Sequence, residues 1–192
     1  MKFSTILLTS ALFLPLSACG DPVELEEVTP PDTESAESTE VTYGVLEGVE
    51  MSNPSSFGAF AFGGQPTAAD LEALKAKGVT RIVDLRTEAE DRGYDEAAVC
   101  EELGLTYVAL PFSPRNLDED VIAGILAELK QDADGEDLTT LVHCASGNRA
   151  HLMFSIHRVR EEGVDIDAAL ADARAQGMVE SLETVVRELL AD

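Results

Sequence analysis

The sequence predicts an α/β domain of three layers, a central mostly parallel sheet flanked by helices, on three observations. From Phe57 onward, short apolar runs of strand length alternate with amphipathic stretches of helix length, the pattern of repeated strand–helix units. Glycines follow the amphipathic stretches at Gly78, Gly104 and Gly177, where a left-handed residue ends a helix at little cost. A cysteine-bearing turn, His143-Cys144-Ala145-Ser146-Gly147-Asn148-Arg149, joins the last apolar run to a helical stretch. Sheets of this kind bind ligands at the carboxyl ends of their strands.

The chain begins outside that pattern. Met1-Lys2, an apolar run over residues 3–16 and then Ser17-Ala18-Cys19 are the parts of a secretory signal, and the run is too short to stay in a bilayer as a spanning helix. The segment resembles the lipobox of bacterial lipoproteins. That resemblance implies a signal peptide over residues 1–18, cleavage before Cys19, a lipid on Cys19, and a membrane-anchored protein facing the periplasm. Gly20 rather than Asp follows the cysteine, which in a Gram-negative envelope permits outer-membrane sorting.

Residues 19–52 are expected to form an acidic tether. Pro22, Pro30 and Pro31 stand among Glu24, Glu26, Glu27, Asp32, Glu34, Glu37 and Glu40, with no Lys or Arg between Asp21 and Lys75. Such a stretch buries too little apolar surface to offset the entropy of ordering it. Residues 41–51 within it have the character of an edge strand. Residues 53–192 are expected to fold.

The elements then follow in order. Residues 59–62 before Gly63-Gly64 read as a short strand and turn. Thr67 caps a helix over residues 67–77, with Asp70 placed to complete a capping box and Leu71 and Leu74 on one face. Residues 80–85 form a strand, 95–103 a helix stopped by Gly104, and 106–110 a strand stopped by Pro111. Residues 117–129 form a helix with Val121, Ile122, Ile125, Leu126 and Leu129 on its buried side. The strand at 139–143 leads into helices at 149–161, 166–175 and 179–190. No internal repeat is visible.

Composition narrows the partners. The formal charge is −24, which disfavours DNA, RNA and anionic headgroups as partners. An anionic substrate gains no general attraction either, so an anion site has to be made by local groups. The cysteine turn supplies them. A tight turn entering a helix points backbone N–H groups inward, and the helix dipole adds to their field. Ala145, Ser146, Gly147 and Asn148 furnish this nest. Gly147 frees the backbone, and Ser146 is small enough to leave the nest open. Arg149 offers a planar fork for two anion oxygens, and His143 can fix the loop or tune the thiol. Separately, Cys144 reads as a small buried hydrophobe, His143 as structural and Arg149 as a helix cap. Together at a strand–loop–helix junction they equip Cys144 to attack an anionic centre.

His143-Cys144 with Gly147 and Arg149 resembles the signature loop of cysteine-dependent protein tyrosine phosphatases. Gly64-Gln65-Pro66-Thr67, the run from Gly78 to Arg86, and Gly104-Leu105-Thr106-Tyr107-Val108 are similar to the DUF442 group, phosphatase-like domains akin to the N-terminal part of beta-lactamase-hydrolase-like proteins. The resemblance spans residues 57–160. It implies a cysteine-phosphatase-like three-layer fold, a phosphoenzyme on Cys144, Arg149 and the loop amides on the anion, a small phosphorylated or otherwise anionic substrate, and neither cofactor nor metal.

Two departures keep other chemistry open. Four residues separate Cys144 from Arg149, where the phosphatase signature has five. A six-residue loop is the size found in rhodanese-like sulfurtransferases, which carry a persulfide. Ala150 stands where phosphatases place Ser or Thr, which leaves a non-catalytic anion- or partner-binding lipoprotein as a third reading. Phosphatases take their proton donor from an Asp on a mobile loop. Asp118 is the candidate, and it equally suits the first turn of the following helix. Arg86 is expected either to line the pocket or to pair with Glu88 or Glu90. In an oxidising envelope Cys100 would be the available disulfide partner of Cys144. His151 and His157 have no second Cys nearby and predict no zinc site.

Overall fold

The structure is a computed structural model that describes residue 44, residues 46–131 and residues 137–191. The signal segment, Cys19 and most of the acidic tether lie outside these residues. Five strands, β1 Ser55–Phe57, β2 Phe60–Gly63, β3 Arg81–Asp84, β4 Thr106–Ala109 and β5 Thr140–His143, form one sheet in the order β1-β2-β5-β3-β4. All neighbours pair in parallel except the β1–β2 hairpin. The expected α/β class is therefore the observed one.

Side chains alternate across the three central strands and sort the core into two layers. Ala61, Leu141 and Ile82 lie in one cross-strand row, and Phe62, Val142 and Val83 in the next. The first row packs with Leu71 and Leu74 of α1 (Ala68–Ala76) and Cys100 of α2 (Glu96–Leu103). The second packs with α3 (Glu119–Lys130), α4 (Asn148–Glu162), α5 (Ile166–Ala175) and α6 (Ser181–Leu189). Each fully buried Leu, Ile or Phe contributes about 1.5–3 kcal/mol to this arrangement. The rings of Phe62 and Phe154, 4.2 Å apart, seat α4 on β2.

The helix ends follow the sequence signals. Thr67 and Asp70 form the capping box of α1. Asp95 caps α2, and Gly104 ends it at φ 70°. No described helix is long and apolar enough to cross a membrane.

The N-terminal boundary differs from expectation. Leu46, Val49 and Met51 are buried in the α1–α2 layer, so residues 46–52 belong to the folded unit, not to the tether. The Glu50 amide donates to Asp70 Oδ1 at 2.6 Å, and the Gly64 amide to the Ser52 carbonyl at 2.7 Å. In place of an edge strand over residues 41–51, the described part makes one bridge, Gly44 to Ser56. The strand at this edge of the sheet is β1, four residues later, with β4 at the other edge.

Candidate active site

Parity at the end of β5 separates two neighbouring residues. His143 shares a row with Gly63 and Asp84 and points to the α1–α2 face. Cys144 points to the α4 face, in the layer of Val142, Phe112 and Ala150. Both are buried. Cys100 lies in the opposite layer, and both cysteines are free thiols. The sheet between the layers is why the disulfide weighed from the sequence does not form. Burial and the Glu96 charge push the Cys100 thiol up to about 11, as expected of an inert structural cysteine.

Three backbone contacts shape the loop after Cys144. The Cys144 amide donates to the Gly63 carbonyl and the Gln65 amide to the Ala145 carbonyl, each at 3.3 Å. The Gly147 amide donates to Cys144 Sγ at 3.2 Å, so the nest closes on the sulfur. Gly147 takes φ 89°, and a Cβ there would sit 3.2 Å from the Gly63 carbonyl carbon, so both conformation and space require glycine. Gly147 is also the N-cap of α4 and makes no side-chain cap bond. The helix therefore presents open amides and its positive end to the loop.

Arg149 closes the far side. Its Nη1 donates to the Leu85 and Phe112 carbonyls, both at 3.0 Å, and to Glu90 Oε2 at 2.9 Å, while Nη2 donates to Glu90 Oε1. Burial opposes the Arg149 charge, but the Glu90 carboxylate and the Cys144 sulfur outweigh it and hold its proton more firmly than usual. Glu90 is tuned the other way. Its burial is offset by Arg149 and by the Thr87 amide and hydroxyl, which keep its carboxyl below the usual range.

The other expected site residues are placed differently. Ala145 and Ser146 contribute backbone to the loop wall. Asn148 acts as a brace, its Nδ2 donating to Ser146 Oγ at 3.0 Å and its Oδ1 accepting from the Val179 amide at 2.8 Å. Arg86 does not line the anion site. It is fully buried on the opposite face, where Nε donates to Asp84 Oδ1 at 2.9 Å and Nη2 to Asp84 Oδ2 at 3.0 Å and to Glu96. Neither of the expected partners, Glu88 or Glu90, holds it, because the carboxylates of β3 and α2 converge there first. Asp118 is the N-cap of α3, its Oδ1 accepting from the Val121 amide at 2.9 Å, the helix-start role that the sequence also allowed.

His143 completes the buried cluster with Arg86. Its Nε2 lies 3.0 Å from Glu96 Oε1 and 3.8 Å from Asp84 Oδ1. Asp84 also accepts from Tyr107 Oη at 2.7 Å and Arg92 Nε at 3.2 Å. Burial would raise its carboxyl, but Arg86, His143 and Tyr107 drive it well below the usual range. Asp84, Glu96 and His143 bring potential metal-ligand atoms within 4.8 Å of one another. The guanidinium of Arg86 already supplies the positive charge between these carboxylates, so the donor set fits an ion-pair network and not a metal.

Sequence reasoning missed Glu90 as the partner of Arg149, and it missed Asn53. The Asn53 Nδ2 donates to the Ser146 carbonyl at 2.9 Å.

Residues 41–187 match the family described as DSP-PTPase phosphatase fused to NAD+ kinase. Among solved structures, a DUF442 protein from Shewanella putrefaciens CN-32 aligns at 16% identity with a TM-score of 0.60, covering 73% of this chain and 90% of its own. A Cys-to-Ser variant of P. aeruginosa TpbA in complex with pTyr aligns at 18% identity and TM-score 0.56, covering 81% and 99%. The core catalytic domain of the PP-IP phosphatase SIW14 from S. cerevisiae, in complex with citrate, aligns at 14% identity and TM-score 0.60, covering 71% and 85%. These likenesses share the fold. No curated protein matches the chain.

Proposed function

The chain belongs to the family of DSP-PTPase phosphatases of the kind fused to NAD+ kinase, and from that premise we propose that Cys144 is the nucleophile of a phosphate monoester hydrolase. The observation that carries this reading is the closed loop, with the Gly147 amide 3.2 Å from Cys144 Sγ and Arg149 following it in the first turn of α4.

The reaction is a double displacement. Cys144 Sγ, as the thiolate, attacks phosphorus, the ester P–O bond breaks with its electron pair leaving on oxygen, and the departing oxygen takes a proton from solvent water. Water then attacks the phosphocysteine, the S–P bond breaks, and orthophosphate and the thiolate are released. Loop amides and Arg149 stabilise the oxygens in both steps. Ala150 has no hydroxyl to assist departure of sulfur, so breakdown of the phosphocysteine is the slow step. The pTyr-bound neighbour supports a small aryl phosphate as substrate. The sulfur-transfer and non-catalytic readings rested on loop length and on Ala150, and the family match weighs against both.

Lipidation of Cys19 and a periplasm-facing membrane anchor complete the proposal, supported by Ser17-Ala18-Cys19 after the apolar run. Labelled palmitate should enter the wild-type protein and not the Cys19→Ser variant. Activity is tested with p-nitrophenyl phosphate and phosphotyrosine. Turnover should be present in the wild type and abolished in Cys144→Ser, and equal turnover in the two proteins would overturn the assignment.

A further inference from the structure

Asn53 stands apart in the backbone. Among the described residues it is the non-glycine at positive φ, 49°, a conformation that Asn tolerates better than most residues but that still costs energy. Strain of this kind persists where the surroundings over-determine it, and such places cluster at functional sites. The surroundings here are specific. Its Nδ2 donates to the Ser146 carbonyl at 2.9 Å, and its own carbonyl lies 3.4 Å from His151 Nε2 on α4. Two glycines leave room for it. A Cβ on Gly147 would lie 3.3 Å from Asn53 Cβ, and one on Gly177 would lie 2.8 Å from Asn53 Cγ and Oδ1.

The oxygen that Asn53 holds belongs to the same peptide plane as the Gly147 N–H. That N–H donates to Cys144 Sγ. In a planar trans peptide the oxygen and the amide hydrogen point in opposite directions. Fixing the oxygen outward therefore fixes the hydrogen inward. With the oxygen free, rotation of this plane would turn a carbonyl dipole toward the sulfur and remove a donor from the nest. The preceding plane is held alike, its Ala145 oxygen bound by the Gln65 amide at 3.3 Å.

We propose that Asn53 is a positioning residue for Cys144, acting through the Ser146–Gly147 peptide to keep its N–H on the thiolate and on the oxygens of the bound phosphate. The inference rests on the reading of Cys144 as nucleophile. It also gives residues 46–53 a task beyond filling the core, because this segment carries the amide that orients the loop.

The test compares full-length wild type with Asn53→Gly, which keeps the left-handed conformation and deletes the donor, and with Asn53→Asp, which keeps the shape and cannot donate when ionised. The readouts are kcat and KM on p-nitrophenyl phosphate, and the pH profile of iodoacetamide alkylation at the Cys144 peptide by mass spectrometry. Asn53→Gly should lower kcat about tenfold, with a smaller change in KM, and move the alkylation profile about one unit toward higher pH, the size of one lost charge-assisted hydrogen bond. Asn53→Asp should do the same and raise KM further by repelling the anion. Wild-type kcat and an unmoved alkylation profile in Asn53→Gly would overturn the proposal, and so would a lower melting temperature with the profile unmoved. If the wild type hydrolyses nothing while the profile still shifts, positioning stands and the phosphatase reading falls.

Discussion

Two arginine–carboxylate assemblies flank the end of β5, one on each face of the sheet, and they differ in what they leave available. On the α2 face Arg86 is pinned by Asp84 and Glu96, with His143 beside them, and all four are buried. On the α4 face Arg149 has one carboxylate partner, Glu90, and sits in the first turn of a helix with no side-chain cap. The first assembly sets two carboxylates against one guanidinium and is sealed. In the second, Glu90 balances Arg149 one for one, and the uncapped N-terminus of α4 adds positive field. A buried guanidinium is left to act as a binding group where the surrounding carboxylates do not outnumber it.

Breaking the sealed assembly should give the largest effect. Arg86→Met leaves two buried carboxylates with little compensation, and the expected loss is about 3–5 kcal/mol of stability, read by urea denaturation. At the second assembly, Arg149→Lys keeps the charge and loses the planar fork. It should lower kcat/KM by roughly 10²–10³, equivalent to about 2.7–4 kcal/mol, with folding largely kept.

A smaller effect is expected where the sequence offered a catalytic acid. Asp118→Ala removes the α3 cap and should cost about 1 kcal/mol with kcat unchanged. A large fall in kcat at unchanged stability would restore Asp118 as proton donor. The smallest effect is at Glu90→Gln, which preserves a hydrogen bond to Arg149 and removes a negative charge near the anion. KM should fall by about two- to fivefold, the scale of a partly exposed ion pair.

Acid should sharpen the same contrast. Asp84 and Glu90 both titrate below their ordinary values of 3.8 and 4.5. Their contribution to stability is therefore complete above those values and is lost as pH falls through them toward the folded-state values. Melting temperature measured downward from neutral pH should drop in this window, and less steeply in Arg86→Met, where Asp84 has lost its main side-chain donor and keeps only Tyr107, Arg92, His143 and the backbone amide.

Much of the fold was legible because local signals agreed with the final packing. Thr67 with Asp70 announced α1, Gly104 ended α2, and Ile122, Ile125 and Leu129 marked the buried side of α3. β1 was not legible, since Ser55-Ser56-Phe57 has no alternation to read and pairs only because β2 offers an edge. Leu46, Val49 and Met51 were hidden in an acidic stretch that gave no hint of what they would cover.

The site divides in the same way. Cys144, Gly147 and Arg149 are neighbours in sequence, so their geometry follows from one strand–loop–helix turn. Glu90 reaches Arg149 from 59 residues away, and Asn53 reaches Ser146 from 93. No local pattern encodes either contact. For Arg86 the sequence left pocket lining and an ion pair with Glu88 or Glu90 open; the carboxylates that hold it are Asp84, two residues back on β3, and Glu96 of α2, which the fold brings in.

The most direct test of Cys144 as nucleophile is rapid quenching of the enzyme with excess aryl phosphate at mildly acidic pH, followed by mass analysis of the Cys144 peptide. One phosphoryl group should appear on that peptide, accumulating because its hydrolysis is slow, and none in Cys144→Ala. Steady release of phosphate with the phosphoryl group on another residue, or with turnover surviving in Cys144→Ala, would contradict it.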